Sequence, residues 1–277
     1  MVKKILVPTD FSQDSLHALK AAAKLAKRYD AEIFLFHLIE LPGIMIDGVN
    51  EGVRSELPQA IYFMKLAHQE FEKLMKSPFL EGIKVYEKAE FHNGFEDINT
   101  IVQKHEADLI VMGSHGKNGL PNIFIGSSTE KVVRNSKVPV LIIKKDHAKF
   151  KLRNFVFASD FQDDNIGPIK SALAIAKREK STVHLLFVNT PGSFQTTEEI
   201  MEAYEAFAEK LGEELPRPTI YCDRTIERGI LNFSQLINAD LIAIGTHGRK
   251  GLAHFFNGSI SEDLMHHAKR PVMTFKI

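Results

Sequence analysis

Short apolar runs alternate along this chain with longer stretches in which apolar positions recur every three to four residues. Ile5, Leu6 and Val7 lie in a run at 4–9, and a second run at 33–38 is broken only at His37. Runs without polar alternation are expected of parallel strands covered on both faces. After the first run the chain turns at 8–10, and Ser12 is a suitable N-cap for a helix. Leu16, Leu19, Ala23 and Ala26 then recur at helical spacing and give that helix one apolar stripe. Further helices are expected at 57–76 and 95–105, and further strands at 83–91, at 108–112 and at 140–143.

The same order then returns. Strands are expected at 155–159, 183–188 and 219–223 and at runs ending at residues 244 and 275, with helices near 168–178, 198–211 and 230–237. Strand and helix alternation of this kind specifies an α/β chain of two tandem doubly wound domains, each on a parallel sheet. The 277 residues suffice for two cores. The basic, aperiodic stretch 144–153 marks the junction, which gives domains at 1–146 and 150–277. Equivalent positions lie 150 residues apart early in each half, as for Asp10 and Asp160, but 132 apart later, as for Gly113 and Gly245. Most of that difference falls after the second strand, at 41–57, which reads either as a loop over a site or as a surface insertion.

Charge narrows the partners. Thirty-five Lys and Arg balance 35 Asp and Glu, so no overall field draws the chain to nucleic acid or to an anionic membrane. A single cysteine, Cys222, excludes an intrachain disulfide and a Cys-rich metal site. The opening apolar run is too short for a signal sequence, and no stretch approaches the ~20 apolar residues of a membrane span. A soluble, cytoplasmic protein is expected.

The chemistry concentrates in a doubled glycine pattern. Gly113, Gly116 and Gly126 precede Ser127 and Ser128, and Gly245, Gly248 and Gly258 precede Ser259, with the same two-residue and nine-residue gaps. Each copy follows an apolar run and precedes a helix, at the junction where α/β proteins hold phosphate. The first glycine allows a tight exit from the strand, the second lets backbone approach a phosphate chain, and the third opens a helix whose free N–H groups favour anions. The serines add hydroxyl donors, and Lys117 and Arg249 add charge. Ser127 with Glu130, and Ser259 with Glu262, also have capping-box spacing, so the serines have a purely structural alternative. Asp10 and Asp160 each follow a first strand; if the first and fourth strands are neighbours, each faces its glycine loop and can take a ribose hydroxyl, a base or a metal ion, or else cap the next helix. His115 and His247 lack partners at ligand spacing, which leaves no metal site assigned. The chain has no P-loop, dinucleotide fingerprint or nucleophile elbow.

Together these residues resemble the universal stress protein family in its tandem form. The resemblance rests on residues 5–12, 107–116, 126–128 and 138–142, and in the second half on 239–248, 258–259 and 270–272. It implies a Rossmann-like, adenine nucleotide alpha hydrolase-like fold with a five-stranded parallel sheet per domain and last strands that associate across a dimer or pseudo-dimer. In this chain that association would join 140–143 to 272–275, and two chains would pair again. The resemblance further implies ATP, with Mg²⁺, held by the first-strand turns Pro8, Thr9, Asp10 and Ser159, Asp160, by backbone at Leu38 and Val188, and by the glycine loops. The function implied is a nucleotide-binding regulatory protein of stress adaptation without robust catalysis. A weak ATPase or autokinase, and a scaffold with empty or differently filled sites, are the alternatives.

Overall fold

A computed structural model describes residues 2–39, 53–91, 98–114, 127–144, 150–246, 264–265 and 267–277, apart from the side chains of 53–57, 127 and 128. The first half runs β1 (Lys4–Pro8), α1 (Gln13–Tyr29), β2 (Glu32–Ile39), α2 (Val53–Met75), β3 (Val85–Phe91), α3 (Ile98–His105), β4 (Leu109–Gly113), α4 (Ser127–Asn135) and β5 (Val140–Ile143). The second runs β6 (Asn154–Ala158), α5 (Ile166–Glu179), β7 (Thr182–Asn189), α6 (Thr197–Leu211), β8 (Thr219–Cys222), α7 (Ile226–Leu236), β9 (Leu241–Thr246) and β10 (Val272–Lys276).

The strands form one ten-stranded sheet in the order β3-β2-β1-β4-β5-β10-β9-β6-β7-β8. Every pair is parallel except β5 with β10, which is antiparallel and joins the halves. The expected seam between 140–143 and 272–275 is therefore present, in the register Val140–Thr274, Leu141–Met273 and Ile142–Val272.

Strand residues alternate between two apolar layers. Ile5 and Val7 join α1, Phe71, Phe155, Phe157, Ile169 and Phe207 on one face, in a cluster continuous across both halves. Leu6 joins Ile101, Val133, Ile230 and Phe233 on the other. Burial on both faces explains the unbroken apolar runs. Helix α1 lies close on the sheet because its buried side is mostly alanine, at 18, 21, 22, 23 and 26.

Two helices start earlier than their sequences suggest. Helix α2 begins at Val53 and runs through Pro58, so the end of the stretch read as a loop is helical, while residues 40–52 lie outside the described residues. Helix α7 begins at Ile226 behind the N-cap Thr225, whose side chain accepts from the Arg228 N–H. A Cβ on Gly229 would run into Val188 Cγ1, so the glycine is what lets the first turn of α7 pack on β7. Among the described residues no helix is long and apolar enough to cross a membrane.

Candidate functional site

Strand β1 lies between β2 and β4, with Ile5 opposite Leu109 and Leu6 opposite Ile110. The winding of the sheet therefore reverses between β1 and β4, and the crevice beyond their carboxyl ends is where open α/β sheets bind ligands. In the second half β6 lies between β7 and β9 in the same way, with Ala158 opposite Ile244. The expected neighbouring of first and fourth strands holds in both halves.

At the end of each first strand the chain makes the same turn. Thr9 N–H donates to Phe36 O (2.8 Å), and Ser159 N–H donates to Leu186 O (3.0 Å), which extends the pairing with the second strand by one residue. The Thr9 and Ser159 hydroxyls accept from the N–H groups of Phe11 (3.1 Å) and Phe161 (3.0 Å). These hydroxyl bonds hold two aromatic residues in the left-handed region, at φ 61° and 59°, where a bulky side chain needs such support. Phe11 is thereby turned onto His37 and Phe71, with centroids 4.5 and 5.1 Å apart, and Phe161 onto Phe187 and Phe207 at 5.8 and 6.0 Å. His37 Nδ1 also donates to the Thr9 carbonyl at 2.7 Å. Pro8, Thr9 and Ser159 thus shape the turn that presents the aspartates.

Asp10 and Asp160 are both partly exposed. Asp10 Oδ1 accepts from Ser12 N–H (3.0 Å), while Asp160 Oδ1 accepts from Gln162 N–H (3.2 Å) and from Asn165 Nδ2 (3.0 Å). These are Asx turns ahead of the helices. The cap of α1 is Ser12 itself, so the helix-cap alternative for Asp10 reduces to this local turn.

The first glycine of each motif has a packing role. A Cβ on Gly113 would lie 2.8 Å from the backbone carbon of Asp14, in the first turn of α1. A Cβ on Gly245 would lie 2.6 Å from Asn165 Oδ1 and 2.7 Å from Ile277 Cδ1. Both glycines let a helix start press against the end of the fourth strand, which is a firmer reason for them than a tight exit. Thr129 then donates its hydroxyl to the Gly113 carbonyl at 3.1 Å and ties the first turn of α4 to the end of β4. Helix α4 starts at Ser127, so Ser127 is its first helical residue rather than its cap, and the capping-box alignment with Glu130 is displaced by one position. Gly116, Gly126, Gly248, Gly258 and Ser259, with the side chains of Ser127 and Ser128, lie outside the described residues.

Leu38 and Val188 end their second strands at equivalent places but differ in access. Leu38 is 38% exposed, whereas Val188 is 6% exposed and carries the first turn of α7. Sequence reasoning missed Asp14, Lys144 and Asn165. Ser114 Oγ lies 3.4 Å from Asp14 Oδ2, and burial draws the Lys144 ammonium down to about 8 against the opposing pull of Asp14. Asn165 is fully buried and bonds Asp160 and Asp164 through Nδ2, while its Oδ1 has no hydrogen-bond partner among the described residues. The signal for all three lay in the repeat: Asp14 with Asp164 and Ser15 with Asn165 are 150 residues apart, and Lys144 with Lys276 are 132 apart. A separate cavity of about 210 Å³, lined by Phe34, Tyr86 and His105 among others, opens against the middle of β2 and β3 and not at the strand ends.

The universal stress protein family model matches residues 1–144 and, a second time, residues 151–276. The chain belongs to the universal stress protein family. A universal stress protein of Methanocaldococcus jannaschii is 35% identical over 152 residues, covering 52% of this chain and 84% of that protein, and so corresponds to one half. One from Mycolicibacterium smegmatis is 22% identical over 284 residues and spans both halves, covering 98% of this chain and 96% of its own. The crystal structure of a universal stress protein from Archaeoglobus fulgidus is similar at 25% identity with a TM-score of 0.65, covering 99% of this chain and 98% of that one. A putative universal stress protein from Pseudomonas aeruginosa shares the fold at 21% identity and TM-score 0.65, covering 99% and 93%. This universal stress protein is therefore a tandem of two Rossmann-like modules in one sheet.

Proposed function

We propose that this universal stress protein binds an adenine nucleotide at each of its two crevices, ATP with Mg²⁺ being the preferred form, and serves as a nucleotide-dependent regulatory protein rather than a fast enzyme. The observation that carries the reading is the placement of Asp10 and Asp160 at the two points where the winding of the sheet reverses. A carboxylate there suits a ribose hydroxyl or a base edge. In the first half Thr129 ties the start of α4 to the end of β4, which brings the positive end of that helix's dipole to the same end of the sheet, where it favours a phosphate chain. The residues present fit the nucleotide in both respects. Backbone at Leu38 and Val188, the loops carrying Gly116, Gly126, Gly248 and Gly258, and the serines 127, 128 and 259 complete the proposed site. A magnesium ion would sit beside the phosphates, within reach of Asp10 or Asp160.

Native mass spectrometry before and after addition of ATP and Mg²⁺, with Gly116→Val and Gly248→Val alongside, tests this. Two nucleotides per chain, each lost with its own variant, are expected. A folded chain that takes up none supports the scaffold alternative, and cAMP in parallel asks whether another adenine nucleotide fills the sites. The same spectra report whether two chains pair into the four-domain assembly that belongs to this reading.

A further inference from the structure

The helix that follows each aspartate turn starts differently in the two halves. In the first, Ser12 caps α1 by accepting from the Ser15 N–H at 3.2 Å. The Ser15 hydroxyl donates back to the Ser12 carbonyl at 2.9 Å and accepts from the Thr9 hydroxyl at 3.1 Å. In the second half Gln162 stands at the place of Ser12 and Asn165 at that of Ser15. Neither caps a helix with its side chain, and a 3₁₀ turn, Asp163–Asn165, comes between the aspartate and α5.

The Asn165 side chain reaches back to the turn instead. Its Nδ2 donates to Asp160 Oδ1 at 3.0 Å and to Asp164 Oδ1 at 3.2 Å. The two carboxylate oxygens fix which way the amide faces, because the opposite orientation would set an acceptor against acceptors. Its Oδ1 is accordingly on the Gly245 side, where a Cβ on that glycine would lie 2.6 Å from it. The amide is held between the carboxylates and the end of β9, in a place with no exposure.

This arrangement is not the one that stability favours. Among the described residues Oδ1 has no hydrogen-bond partner, and a buried acceptor left unpaired is unfavourable. A serine, the residue of the first half, would bring no such acceptor. What the asparagine adds is its reach to Asp160. Together with the Gln162 N–H at 3.2 Å, it gives Asp160 Oδ1 two donors, one of them on a side chain that cannot swing away.

We propose that Asn165 is a positioning residue: it fixes the Asp160 carboxylate for a ribose hydroxyl and so makes the second crevice selective for a nucleotide whose ribose hydroxyls are in place. A carboxylate already held in its binding position loses no further freedom when the ligand arrives. The inference rests on the nucleotide reading of that crevice and names the residue that sets its selectivity.

Full-length Gly116→Val chains, in which the second crevice alone is expected to fill, test this with Asn165 intact and as Asn165→Ser. Native mass spectrometry titrations with ATP and with 2′,3′-dideoxy-ATP give the preference for the ribose hydroxyls, and circular dichroism of the nucleotide-free chains checks folding. With Asn165 intact the preference for ATP should be about tenfold or more, the effect of a hydrogen bond to a charged group. Asn165→Ser should reduce it to about twofold, through weaker ATP binding with little change for the dideoxy nucleotide. Should the serine variant fail to fold, Asn165→Asp keeps the shape against Gly245 without the amide donor and should lose the same preference. A preference that survives in the variant, or equal losses for both nucleotides, would overturn the positioning role and leave nucleotide binding standing. So would binding without a preference when Asn165 is intact. A second crevice that takes up neither nucleotide would overturn the proposed function and this inference with it.

Discussion

Leu141 and Met273 face each other across the antiparallel pair β5 and β10, and each is the repeat counterpart of the other, 132 residues apart like Gly113 and Gly245. The pseudo-twofold axis of the molecule passes between them. Their neighbours obey the same symmetry, since Val140 pairs with Thr274 and Ile142 with Val272. Differences between the halves therefore reflect substitution within one shared frame, which makes each half a control for the other.

The glycine at the end of β4 is the first place to use that frame. Gly113→Ala forces a methyl to within 3 Å of the Asp14 backbone, where nothing flexible can give way, and should cost about 1–3 kcal/mol. Gly167, in the first turn of α5, has nothing within 4 Å of a built Cβ, so Gly167→Ala should instead stabilise by about 0.5–1 kcal/mol. Urea unfolding reads both, and equal midpoints for the two variants would contradict the packing role assigned to Gly113.

Lys144 should leave a mark on the pH dependence of stability. Its ordinary value of 10.5 falls to about 8 in the folded chain, chiefly through burial, with Asp14 opposing. Between those values the unfolded chain binds the extra proton, so stability rises with pH across the window, whereas below about 8 both states are protonated and the penalty is constant. Lys144→Met removes the penalty. The parent's urea midpoint should gain on the variant's between pH 8 and 10, and parallel curves would show that Lys144 is not the group responsible.

His37 occupies the place that Phe187 holds in the second half. Both rings pack against the left-handed Phe of the turn, at 4.5 Å for His37 on Phe11 and 5.8 Å for Phe187 on Phe161. His37→Phe should therefore fold normally and lose only the bond to the Thr9 carbonyl, about 0.5–1.5 kcal/mol. His37→Ala, which also empties the packing on Phe11, should lose clearly more. Similar losses for the two would mean that ring packing contributes little to the turn.

Asn189 clamps the short connection after β7. Its Nδ2 donates to Gln195 O at 2.7 Å and its Oδ1 accepts from Gln195 N–H at 3.1 Å, in a buried place. The counterpart in the first half is Ile39, which has neither donor nor acceptor in its side chain. Asn189→Ile should speed amide hydrogen exchange over residues 190–196 and cost about 1–3 kcal/mol. Unchanged exchange there would show that the connection is held by other contacts.

Much of this architecture was legible because buried parallel strands write themselves as unbroken apolar runs. Ile5 to Val7 and Leu109 to Met112 could be placed as strands, while their adjacency stood only as a condition until the sheet order supplied it. The aspartate turns were legible for the same reason. What escaped the sequence depended on approach between distant residues. Gly113 gave no sign that it faces Asp14, and the start of α7 was placed too late because what Gly229 packs on, Val188, lies on another strand. Leu38 and Val188 looked equivalent, yet one is exposed and the other covered. Arg28, paired with Glu179, and Arg178, lying over Tyr29, cross between the halves, and that crossing escaped the sequence because it needs both helix ends in place.

Fusing the two modules changes the character of the β5 and β10 seam. Four-residue β5 would be a weak associating edge between separate molecules, lost on dilution. Held in one chain by the stretch 144–153, the two edges meet at an effective concentration on the order of millimolar. Closure of the ten-stranded sheet thereby becomes a unimolecular event, indifferent to how much protein is present.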